Sequence, residues 1–134
     1  MMEEALTARL LAVAPLTDLV ADFVNWVARP GELAEDGPAA LTMQMISAGR
    51  DYHFQGAIAL HRPRIQFDSW ALDYLTAKKV RRAVVAAIEP PADVSGVRFG
   101  PSFEISERDT TQTSTAGQLV FNTSFDLFVW WNLL

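Results

Sequence analysis

Few residues in this chain are placed to do chemistry. His53 and His61 stand eight residues apart around a turn-like stretch. Zinc sites use closer helical pairs or Cys/His clusters, so both histidines are expected to be ordinary surface or hairpin residues. Glu104, Glu107 and Asp109 are spaced to meet across a strand end, as acid–base catalysis requires, although a solvated strand end is the simpler account. Lys78, Lys79, Arg81 and Arg82 form the most basic run. It could touch phosphate or an acidic surface on a neighbouring subunit, but on an amphipathic helix it reads first as a solvated outer face. The chain has no cysteine, hence no thiol nucleophile, disulfide or cysteine metal site. Its seven glycines make no dinucleotide or phosphate-loop fingerprint, and no GxSxG elbow is present. The expectation is a non-enzymatic protein with no catalytic, cofactor-binding or metal residues.

The elements that would position such groups belong to one domain, residues 1–134. Half of the 134 residues are hydrophobic and a fifth are charged, enough for one sizeable core. A net charge of -5 argues against a broad electrostatic grip on nucleic acid or on an anionic membrane. The opening MMEEALTARL is acidic where a signal peptide would be basic. The most apolar stretch, LVFNTSFDLFVWWNLL, is interrupted by Asn122, Asp126 and Asn132 and alternates, so it reads as a strand and the chain as soluble.

Leu6, Leu10 and Val13 mark an N-terminal helix that Pro15 ends or kinks. FVNWVAR from Phe23 is a short strand, and RPGELAEDGPAA is a loop. Leu41–Ser47 alternates with Leu41, Met43 and Met45 on one face. SAGRDYHFQG is a connection in the form of a loose hairpin, and Ala57–Trp70 an extended run with Ile65 and Phe67 inward. Pro63 implies an edge or bulge there. Asp73 caps a helix whose stripe is Leu72, Thr76, Val80, Ala83, Val84, Ala87 and Ile88, stopped by Pro90 and Pro91. Val97–Ser106 is a strand with Val97, Phe99, Phe103 and Ile105 on one face. The polar SERDTTQTSTAG follows. Leu119–Trp131 closes the chain with Leu119, Phe121, Phe125, Leu127, Val129 and Trp131 facing the core. The order α-β-β-β-α-β-β predicts an α+β domain: a mostly antiparallel sheet of about five strands with two main helices on one face. Phe128 and Trp130 point to the other face. There they serve either a partner surface or a surface covered by the chain's own segments.

Several segments together resemble the tail completion, or tail terminator, family of long-tailed phages and phage-like gene transfer agents. They are ALTMQMISAGRDY, RPRIQFDSWALDYLTAKKVRRAVVAAI, GVRF with SERD, and SFDLFVWW, spanning roughly Ala40 to Trp131. Two features depart from the family pattern: Pro38 is followed by AALTM rather than directly by the strand, and the closing loop is threonine-rich rather than acidic. The resemblance implies a structural virion protein. It implies a ring, hexameric in the family, at the head-proximal end of the tail tube, ending tube growth and meeting the head–tail connector. DNA would pass transiently through the lumen, with no cofactor and no membrane. A ring needs one patch to meet a different patch on the next copy. Candidate arms for that contact are residues 29–40 (Arg29, Glu32, Glu35, Asp36), 47–59 (Arg50, Asp51, Tyr52, Phe54) and 106–118 (Glu107, Arg108, Asp109, Thr110, Thr111, Thr113), besides Phe128 and Trp130. Another ring or tube component of the same particle, a ligand-binding module or a small enzyme are the alternatives.

Overall fold

The computed structural model describes residues 1–28, 33, 37–53, 56–113 and 117–134, and of residues 50–53 and 56–59 the backbone. Three helices and eight strands follow in the order α1 (Met2–Leu11), α2 (Ala14–Val20), β1 (Val24–Trp26), β2 (Ala40–Ser47), β3 (Arg50–His53), β4 (Gly56–His61), β5 (Arg64–Ala71), α3 (Tyr74–Ile88), β6 (Ala92–Val94), β7 (Val97–Thr113) and β8 (Leu119–Leu133). The strands form one sheet built around β8. One side of β8 carries β5, then β2 and β1, with β4 and β3 continuing beyond β5. The other side carries β7 and then β6. The pair β1–β2 is parallel and the other pairs are antiparallel. The α+β class stands, but with more strands than about five, one parallel pair and three helices. The connection expected as a loose hairpin contributes a strand of its own, β3, paired antiparallel with β4.

The helices cover one face of the sheet. Pro15 sits in the first turn of α2, where a missing amide proton costs nothing, so the N-terminal helix is two helices. α3 starts at Asp73, whose carboxylate accepts from the Thr76 amide at 3.1 Å. It buries Ala77, Val80, Val84, Val85 and Ile88 against Ile65, Phe67, Phe99, Phe125, Leu127 and Val129. Phe67 and Phe125, opposite each other on β5 and β8, stack at 5.4 Å in the centre of that core. Leu72 turns instead into a small second cluster with Leu33, Ala40, Val120, Phe23 and Trp70.

Three expectations about facing are corrected. Phe103 and Ile105 do not join Val97 and Phe99 inside: they are 56% and 40% exposed. The register of β7 slips between Phe99 and Ser102 and again between Glu104 and Ser106. A bulge shifts side-chain parity, so the strand changes face after Gly100–Pro101. Met45 is half-exposed where Leu41 and Met43 are buried, because the outer half of β2 runs past the core. Leu119 is exposed although it shares parity with the buried Phe125.

The extended run from Ala57 is two collinear strands broken at Arg62–Pro63. Pro63 gives its carbonyl to the Val129 amide at 3.0 Å. The break is fastened by Gly49, whose carbonyl accepts from the Arg62 amide at 2.9 Å. Gly49 has φ +61°, and a Cβ there would lie 1.7 Å from the Arg62 carbonyl oxygen, so only glycine fits.

Candidate assembly surface

The long β7–β8 hairpin carries most of the predicted arm residues that can be placed. The stretch from Ser106 to Thr113 is not a loop: it pairs residue by residue with β8 from Asp126 to Leu119. Threonine, β-branched, suits an extended backbone, and here polar residues alternate on both faces.

One face of this hairpin is tied to α3. Lys78 Nζ lies 2.9 Å from Glu107 and 2.8 Å from Asp109. Arg81 bonds Glu104 and approaches Glu107 at 3.2 Å. Asp109 also accepts from Thr123 at 2.9 Å. The hydrogen bond from Lys78 holds the Asp109 carboxyl below its ordinary range. Burial depresses Lys78, but its bonds to Asp109 and Glu107 outweigh that and raise it. The hydrogen bond to Glu104 likewise raises Arg81. Thus Lys78 and Arg81 of the basic run and the acidic trio, read separately as candidate phosphate-binding and acid–base groups, meet each other within one chain. A general acid needs a carboxyl raised toward neutrality, and Asp109 is driven the opposite way.

The opposite face, which the three described helices leave uncovered, has a polar centre. Asp126 is 2% exposed on β8. Its Oδ2 accepts from Arg64 Nε at 3.0 Å and Nη2 at 2.7 Å. Arg108 Nη1 stands 3.8 Å from Oδ1. Asn122 donates toward Asp68 at 3.3 Å and accepts from Thr110 at 3.1 Å. Toward one end the face turns aromatic. Phe103 lies opposite Phe128 across the hairpin. The Arg62 guanidinium sits over Phe128 and Trp130, at 5.2 and 5.6 Å from the ring centres. Phe128 and Trp130 are therefore half-buried beside a cation of their own chain. Trp131, on the core side, stacks on His61 at 4.1 Å, so His61 serves packing.

Thr111 and Thr113 are exposed near the hairpin end. Arg50, Asp51 and Tyr52 form part of β3, placed by backbone alone. Arg29, Glu32, Glu35, Asp36 and Phe54 lie outside the described residues. The reading by parity missed Arg62, Arg64, Asp126, Phe103 and Ile105. Gly100–Pro101 inside a strand pattern was the available signal for the last two.

Several hollows open on the surface of the described residues. One, of about 420 Å³, lies between α1 and Trp26, lined by Glu3, Thr7 and Leu11. Another, about 280 Å³, joins Tyr74, Asp109 and Phe121. Among the described residues no group of three or more His, Asp or Glu side chains could hold a metal ion. No described helix is long and apolar enough to cross a membrane.

No family model matches this chain, and no curated protein matches it. Among solved structures, it is similar to a chain from "Virion of native gene transfer agent (GTA) particle". The TM-score is 0.64 and the identity 22%, over 96% of this chain and 94% of that one. The fold of this chain is thus that of a gene transfer agent virion component.

Proposed function

We propose that this protein is a structural virion subunit, a tail terminator. Copies form a ring, six in number as in the family it resembles, on the head-proximal end of the tail tube. The ring ends tube polymerisation and presents a surface to the head–tail connector, while DNA passes through its centre without being gripped. The observation that carries this reading is the end-to-end fold likeness to a chain of a gene transfer agent virion. It coincides with the independent sequence resemblance from Ala40 to Trp131. The side chains add support: the charged groups nearest to catalytic spacing neutralise each other, and the aromatic second face offers area for contact.

The test is tube length. Tube protein assembled with this protein should give tubes capped at one end and arrested in growth. Co-assembly of this protein along the tube would assign it to the tube itself. Uncapped tubes of unchanged length would refute the terminator role.

A further inference from the structure

We infer that copies of this chain join edge to edge, the free flank of β7 in one copy pairing with the outer half of β2 in the next. Among the described residues, the two flanks are open for identifiable reasons. β1 covers β2 only from Leu41 to Met43. Immediately afterwards Val27, at φ 71°, turns the chain: the Ala28 amide bonds the Trp26 carbonyl at 2.8 Å, two residues back. That tight turn is rare and strained, most of all for a β-branched residue, and it ends β1 before it can cover Gln44–Ser47. On the other flank β6 covers β7 only from Val97 to Phe99. Beyond Ser102, among the described residues, β7 has a strand partner on the β8 side alone.

Both open flanks carry exposed apolar side chains. Met45 and Ile46 are 37% and 48% exposed on β2, and Phe103 and Ile105 are 56% and 40% exposed on β7. Natural proteins guard an open edge with charged side chains, above all lysine, with proline or with β-bulges. Neither Gln44–Ser47 nor Ser102–Thr113 contains lysine or proline. The carboxylates of β7 that would repel a neighbour are held down by Lys78 and Arg81. Register shifts at Met45–Ser47 on β2 and at Glu104–Ser106 on β7 are the guards these flanks retain; their exposed apolar side chains are covered when the β2 flank of one copy meets the β7 flank of a second.

The pairing has a direction. β2 and β7 lie on opposite sides of the β5–β8 centre, so a contact between them joins two different patches. The contact is heterologous and repeats head to tail, which closes into a ring or runs on as a filament. This inference needs only self-association, so it stands or falls separately from the tail terminator role.

The chain's lack of cysteine makes the test direct. Ile46→Cys and Ile105→Cys, combined in one chain, are treated with a short bis-maleimide, with and without tail tubes. Products of three or more chains are expected from the double variant. Dimers are expected from mixing the two single variants, and monomers from either alone. Absence of cross-linked products in both conditions overturns the inference; if light scattering shows assembly in the same samples, the ring survives and only these edges are wrong. Cross-linked rings that fail to cap tubes would keep the edges and refute the function. As a second readout, Ile105→Lys should weaken self-association by about tenfold or more with an unchanged unfolding midpoint. Unaltered assembly in that variant would also overturn the inference.

Discussion

Replacing Arg64 and Arg108 by methionine, singly and together, asks what keeps Asp126 buried. The carboxylate is 2% exposed, with two hydrogen bonds from Arg64 to one oxygen and Arg108 at 3.8 Å from the other. A buried charge stripped of its partners costs roughly 3–5 kcal/mol. Arg64 is itself 38% exposed, so water screens part of its interaction. With Arg64 removed, Arg108 is near enough to close on Asp126, and Arg64→Met alone should cost about 1–2 kcal/mol. Arg108→Met alone should cost less than about 0.5 kcal/mol, since the Arg64 bonds remain. The double variant leaves the carboxylate without a cation and should cost roughly 3–5 kcal/mol, well beyond the sum. Adding Asp126→Asn should recover much of that loss. Urea unfolding followed by circular dichroism reads all four variants. A double variant that equals the sum of the singles within about 0.5 kcal/mol would refute the shared-cation reasoning.

Other perturbations probe the frame and the arm. Phe67→Ala removes a fully buried ring stacked on Phe125, and urea unfolding should show a loss of roughly 3–5 kcal/mol. Gly49→Ala puts a methyl against the Arg62 carbonyl at a positive φ; it should lower the melting temperature sharply and expose the β4–β5 break to proteolysis. The Asp109 carboxyl is held low in the folded state, so its contribution to stability is complete above the unfolded value, about 4, and fades as pH falls through the folded one. Unfolding midpoints should therefore drop on acidification below about pH 4, and Asp109→Asn should flatten that part of the profile.

The parts legible in the sequence are those fixed by strong local chemistry. Asp73 announces the start of α3, and Pro90–Pro91 its end. Ile65 and Phe67 against Gln66 and Asp68 mark both faces of β5. Gly100–Pro101 defeats the same reasoning, because one slipped residue sends Phe103 and Ile105 outward. Ser106–Thr113 escapes it for another reason: both faces are polar, so alternation carries no contrast. Its strand conformation comes from pairing with β8. Burial of Asp126 depends on Arg64 and Arg108, distant in sequence and brought together only by strand order. The union of Lys78 and Arg81 with Glu104, Glu107 and Asp109 is equally a product of the fold. That union converts two apparent sites into one structural tie.

As a tail terminator, this protein would assemble into a ring that stops a tube. Multi-angle light scattering of the purified protein over a range of concentrations, alone and with tail tubes, measures it most directly. A closed species of about six copies is expected, or a monomer that becomes one at tube ends. A monomer indifferent to concentration and to tubes would contradict it.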